Sequence, residues 1–258
     1  MREIFFADDN FSASGEGKFD GTFHKFEGGY DLQGTFTSEV AGINAFRFEE
    51  LAGQLLWQRD RFQVWEVAAR PYGGQAWWDF TMQPLGGLLP GQATFELGYQ
   101  DVDVGRLLES LELPAFRPMA KASGRNVIEW NLGDFADFRN EGSIRFEPPE
   151  GVRLATDQLP AYLSSEVQDR AQRPPDLTTR DFAIGGELEY TAAGDWIELA
   201  GGRLATPSTF ITFDGRTSWG ADSRIPFRVA SRNWQESDRL MASVMTAVGS
   251  STNPFVDS

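Results

Sequence analysis

Alternation of polar and apolar residues most narrows what this chain can fold into, and it is cleanest between Ala93 and Trp130. Thr94-Phe95-Glu96-Leu97-Gly98-Tyr99-Gln100 places Phe95, Leu97 and Tyr99 on one face of a strand. Asp101-Val102-Asp103 breaks the pattern. From Val104 to Leu113 the apolar residues Leu107, Leu108 and Leu111 recur at helical spacing, with Asp103 placed to cap the first turn. After Pro114 and Pro118 the chain returns through Ala122-Ser123-Gly124-Arg125 into the strand-like Asn126-Val127-Ile128-Glu129-Trp130. One short helix between two strands is the reading, and most of the remaining chain is strand without such an interruption.

Elsewhere the same pattern predicts a meander of half-buried strands. Phe19, Gly21 and Phe23 alternate with polar residues; Gly28-Gly29 turns the chain; Tyr30, Leu32, Gly34 and Phe36 alternate again. Gly53–Trp57, Phe62–Val67 and Ala76–Met82 read as strands separated by turns at Arg59-Asp60-Arg61 and Gly73-Gly74. That grammar returns in Gly186–Tyr190, a turn at Gly194-Asp195, Trp196–Leu199, the pair Gly201-Gly202 and Phe210–Phe213. Placing Gly53 on Gly186 sets Leu55 on Leu188 and Trp57 on Tyr190, which suggests a repeated three-strand unit. Ile225, Phe227 and Val229 share one face of a further strand. A Pro-rich polar insertion is expected at about 157–181, and an amphipathic helix near the end, where Leu240, Met241, Val244, Met245 and Val248 form a face expected to pack on the core.

Composition agrees with a folded sheet protein: 21 Phe, 8 Trp and 27 Gly among 258 residues supply packing surface and turns. The net charge of -15 opposes binding to a phosphate backbone, so nucleic acid is not expected as a partner. Zero Cys leaves no disulfide framework and no thiolate metal site. No apolar run reaches the length of a membrane span, and Met1–Asp9 stops being apolar too early for a signal peptide. The uncapped strand pattern at both ends leads us to expect a segment of something longer.

No catalytic constellation is read, and no metal or cofactor is expected. His24, the single histidine, lies in a strand far from any triad partner. Asp101-x-Asp103 reads as a helix cap, and Glu187 with Glu189 as a solvated strand face, since a glycosidase pair must flank its bond from two sides. Gly15-x-Gly17 has the wrong spacing for a dinucleotide loop, no Gly-x-Ser-x-Gly elbow occurs, and Asn10-Phe11-Ser12 is a weak glycosylation match. The apolar face is what stands out. Each large side chain left in water forgoes roughly 1.5–3 kcal/mol, so a second sheet, the chain's own curvature or an apolar ligand must cover it.

The order Gly21-Thr22-Phe23-His24-Lys25-Phe26-Glu27-Gly28-Gly29-Tyr30-Asp31-Leu32, then Tyr72-Gly73-Gly74, Tyr99-Gln100-Asp101-Val102-Asp103-Val104, Ala122-Ser123-Gly124-Arg125-Asn126, Ser223-Arg224-Ile225-Pro226-Phe227 and Trp234-Gln235-Glu236-Ser237-Asp238-Arg239 resembles a segment of the TamB/AsmA-like proteins of bacterial envelopes. The resemblance implies an all-β fold, an elongated, curved antiparallel sheet of the β-taco or repeating β-groove kind with a few short helices, continuous over residues 1–258. It also implies a non-enzymatic role in the periplasm. The groove would carry phospholipid acyl chains towards the outer membrane, in a parent protein anchored in the inner membrane and docked to an outer-membrane barrel protein through regions outside this chain. The candidate groove residues are Trp78, Phe80, Phe95, Leu97, Tyr99, Leu188, Tyr190, Ile225 and Phe227. Two other classes stay open: a carbohydrate-binding or glycan-processing β-protein stacking sugars on Trp65, Trp77 or Trp196, and a closed structural scaffold.

Overall fold

A computed structural model describes residues 13–86, 90–112, 117–157, 181–218, 224–233, 236–237 and 240. The strands are β1 (Ala13–Gly15), β2 (Lys18–Phe26), β3 (Gly29–Ile43), β4 (Phe46–Gln58), β5 (Phe62–Arg70), β6 (Gln75–Gln83), β7 (Gln92–Asp103), β8 (Arg117–Met119), β9 (Lys121–Asn131), β10 (Asp134–Glu147), β11 (Asp181–Ala183), β12 (Gly185–Ala193), β13 (Trp196–Ala205), β14 (Thr209–Ser218) and β15 (Phe227–Ser231). A helix, α1 (Val104–Ser110), follows β7 directly. Thirteen strands form one curved, open antiparallel sheet in the order β1-β3-β4-β5-β6-β7-β9-β10-β12-β13-β14-β15, with β2 beside β1 on the same side of β3. From β3 onward every strand of this sheet lies beside the sheet strands that precede and follow it. The exception to the antiparallel rule is the short parallel pair β8–β11, which joins Arg117–Met119 to Asp181–Ala183 across the two longest connections.

Alternation becomes two unlike faces. In register across the middle of the sheet stand Val64, Phe80, Phe95 and Ile128 on one side, and Gln63, Thr81, Thr94 and Glu129 on the other. The apolar side carries two buried clusters at opposite ends of the strands. One gathers Val104, Ala120, Ala122, Phe182, Ile184 and Leu240, backed by Leu108, Phe146 and Leu204. The other gathers Phe62, Met82 and Ala93, backed by Trp57, Leu85, Trp130 and Leu132.

Curvature has an identifiable device. Glu50, Glu66, Asp101 and Gly201 interrupt strand register with φ between 51° and 61°, the left-handed conformation of a bulge residue, which bends the strand and raises its twist. A bulge leaves a backbone N–H without a ladder partner, and the next strand of the sheet supplies one. Asp79 accepts from the Glu66 N–H at 2.8 Å, Ser123 from Asp101 at 3.1 Å and Asp214 from Gly201 at 2.6 Å. The Glu66–Asp79 and Gly201–Asp214 pairs have the same separation of 13 residues, so the same bulge-and-acceptor arrangement occurs in both halves, two residues out of step with the alignment of Gly53 on Gly186.

Several expectations are revised. The helix ends at Ser110 rather than Leu113, because Glu112 turns to a φ of 57°. Its predicted cap holds: Asp103 accepts from the Arg106 N–H at 3.0 Å. Gly201-Gly202 is a bulge inside β13, not a turn between strands. Ile225 precedes β15, separated from it by Pro226, which cannot donate to the ladder, yet the Arg216–Arg224 bridge keeps the register and sets Ile225 opposite Gly215. Residues 158–180 of the expected insertion, most of the terminal helix and Met1–Ser12 lie outside the described residues; Leu240 is buried in the first cluster, as core packing requires.

Candidate functional site

The candidate groove residues all lie on the apolar face. Trp78, Phe80, Phe95, Leu97 and Tyr99 form one continuous patch on β6 and β7, with Trp78 opposite Leu97 and Phe80 opposite Phe95. Leu188 and Tyr190 stand on the same face of β12, opposite Ile144 and Gly142 of β10. Ile225 and Phe227 are farther along, at the last edge, where Phe227 is 57% exposed. The structure therefore joins the first two groups through β9 and β10 and leaves the third at the rim.

Between the two buried clusters the face stays half-buried: Trp78, Phe95, Leu97, Ile128, Leu188 and Leu199 each keep contact with solvent. Ring contacts run from the first edge into the sheet through Phe23–Tyr30, Tyr30–Trp57, Trp57–Phe62 and Phe62–Phe80. Two of the contacts skip a strand. Phe48 of β4 meets Trp78 of β6 at 5.4 Å between centroids, and Phe80 of β6 stacks on Trp130 of β9 at 5.8 Å. Strands two apart in a flat sheet stand roughly 9.5 Å from each other, so these rings lean together over the strand between them, as a trough requires. A cavity of about 310 Å³ lies instead on the other face of the sheet, among Arg145, Glu187, Arg203, Leu154 and Phe210.

Glycine shapes the floor of this trough. Phe36 lies across Gly53, Tyr99 across Gly124, Tyr190 across Gly142 and Phe213 across Gly202, each ring covering the glycine directly opposite on the next strand. The absent Cβ lets a ring lie flat on the neighbouring backbone, so aromatic area covers peptide groups without filling the trough.

Gly124 and Gly142 have a further effect, which the sequence reading missed. Tyr99 reaches in from β7 and Tyr190 from β12, and their hydroxyls converge over β9 and β10 beside Asn126 and Asn140. The Tyr190 hydroxyl donates to Asn126 Oδ1, and Asn140 hydrogen-bonds to the same hydroxyl. Burial, then the neighbouring Tyr190, pushes the Tyr99 phenol far above its ordinary value of 10.0; burial raises Tyr190 as well, against its hydrogen bonds with the two asparagines. The native chain thus holds protons that the unfolded chain releases, so the stability these phenols lend is intact below about pH 10 and drains away as the pH rises above it. Urea midpoints measured between pH 9 and 11.5 should fall less steeply for Tyr99→Phe than for the parent; identical slopes would remove the Tyr99 phenol as the cause. The signal for these residues was present in Asn126-Val127-Ile128-Glu129-Trp130, whose alternation puts Asn126 on the face of Ile128 and Trp130.

The remaining sequence candidates fall on the polar face. His24, 66% exposed, lies 3.4 Å from Asp31. Glu187 pairs with Arg203 at 3.6 Å, and Glu187 and Glu189 are both exposed on either side of a register shift. Trp77 lies over Gly98, and the Arg216 guanidinium covers the Trp196 ring at 4.4 Å, occupying the stacking platform a sugar would need. Among the described residues no group of three His, Cys, Asp or Glu is arranged to hold a metal ion, and no helix is long and apolar enough to cross a membrane. No protein-family model, no curated protein and no solved structure matches this chain.

Proposed function

We propose that this chain is a segment of a non-enzymatic lipid conduit, whose trough carries phospholipid acyl chains between the inner and outer membranes of a bacterial envelope and so supports outer-membrane biogenesis. The observation that supports this reading is the apolar face itself. It crosses the sheet from β2 to β15, carries large side chains throughout, and is buried at the strand ends while its middle stays half-buried. A closed scaffold would cover that middle with its own side chains.

The physical gain is simple. A chain of a dozen methylenes crossing water exposes surface worth about 0.8 kcal/mol per group, a barrier of roughly 10 kcal/mol. A continuous apolar floor lowers that barrier along its whole length, while the head group keeps its water at the open rim. The polar outer face suits an aqueous compartment such as the periplasm. Anchoring in the inner membrane and docking to an outer-membrane barrel protein belong, on this reading, to parts of a longer parent protein.

Mass spectrometry of lipids extracted from the purified chain tests the proposal. Phospholipid should be recovered after purification, or taken up from phosphatidylethanolamine–phosphatidylglycerol vesicles. A folded chain that carries none and acquires none is a closed scaffold instead.

A further inference from the structure

The trough floor is not uniformly apolar. Asn126 and Asn140, with the hydroxyls of Tyr99 and Tyr190, make a polar notch midway along it, framed by Leu97, Ile128, Ile144, Leu188 and Ala192. Hydrocarbon alone gives such a notch nothing, because polar groups beneath an acyl chain lose water without recompense. Most of its groups are matched internally: Tyr190 donates to Asn126 Oδ1, and Asn140 is bonded to the Tyr190 oxygen. One is not. Asn140 Oδ1 is shut off from solvent and has no hydrogen-bond donor.

We infer that this notch is a binding subsite for the polar junction of an acyl lipid, and that it selects lipids carrying a hydroxyl or amide N–H donor there. The inference rests on the trough reading above and adds a preference to it. An acceptor without a donor, in a strip otherwise built for hydrocarbon, is completed by a ligand that brings the donor with its chain. The Asn140 side chain as a whole is half-buried, and the terminal torsion of an amide is soft, so a turn about that bond presents the oxygen to the trough; the turn gives up the contact of Asn140 with the Tyr190 hydroxyl, which keeps its bond to Asn126. Selectivity sits at one place along the floor, and apolar contacts on either side hold the chain.

The test compares 1-monooleoylglycerol with its 2,3-di-O-methyl ether, which keeps the chain and the oxygens but lacks both donors. Binding to the full chain is followed by tryptophan fluorescence, in the parent and in Asn140→Val. Comparing the two ligands in both proteins cancels their different solvation in water. The hydroxyl ligand should be favoured about fivefold more in the parent than in the variant, the size of one net hydrogen bond. If the preference is the same in both, the subsite is overturned while the trough reading stands. If neither ligand binds the parent, the trough reading itself fails. Should Asn140→Val not fold, Asn140→Ala serves in its place, with the same outcomes.

Discussion

Replacing Gly124 with alanine destabilises the chain by about 3 kcal/mol, and removing the aromatic ring above it does not bring the stability back. A Cβ at Gly124 would sit against the Ser143 carbonyl oxygen, and only then meet the Tyr99 hydroxyl at 2.6 Å. The carbonyl belongs to the β9–β10 ladder and cannot retreat without breaking pairing, so Tyr99→Ala leaves the clash where it was. Gly142 differs. A Cβ there would first meet the ends of Asn126 and Tyr190, which are side chains that can swing away. Gly142→Ala should cost about 1–2 kcal/mol and couple strongly to Tyr190→Ala, whereas Gly124→Ala and Tyr99→Ala should be additive within about 0.5 kcal/mol. Urea midpoints of the two double-mutant cycles decide it. Equal coupling in both would mean that the glycines make room for rings alone, and that the close approach of backbone at Gly124 is immaterial.

The second large effect concerns the trough. Leu97→Asp should weaken acyl-chain binding at least tenfold while the chain stays folded. Leu97 stands between Trp78 and Asn126 in the half-buried middle, so an aspartate there reaches water in the empty protein but must be stripped of it when hydrocarbon lies on top. Thr94→Asp, three residues earlier on the polar face, places the same charge where no chain should run and leaves binding unchanged. Quenching of the trough tryptophans by phospholipid with brominated acyl chains measures both. If the two variants lose binding alike, the lipid is not held on the apolar face.

The one-sided burial of a sheet writes itself into sequence with a period of two. That is why the candidates on β6, β7 and β12 fall on a single face although β9 and β10, the strands between them, were not used to choose them. Asp103 was legible too, because a helix cap is a local arrangement. The bulges at Glu50, Glu66 and Asp101 were not. A non-glycine residue at positive φ carries no signature of its own, and the groups that satisfy two of these bends, Asp79 and Ser123, arrive from another strand. The pairing of β8 with β11 likewise joins segments far apart in the chain. Asn126 and Asn140 escaped because only apolar positions were counted, although the same alternation places Asn126 on the trough face. Gly124 and Gly142 read as ordinary strand glycines until the rings lying on them are seen.

A chain that runs back and forth, each strand beside the ones before and after it, behaves almost as a one-dimensional object. Its stability accumulates hairpin by hairpin, fraying can begin at either edge without reaching the other, and its contacts close over short loops that form quickly. A hairpin gained or lost changes the length of the trough and leaves its cross-section alone, so length is the dimension along which such a protein can vary at least cost. The β8–β11 clasp interrupts this economy at one place. By fastening Arg117–Met119 to Asp181–Ala183 it brackets the β9–β10 hairpin, floor of the polar notch, so that the stretch with the most exacting side-chain geometry is also the stretch held from both ends.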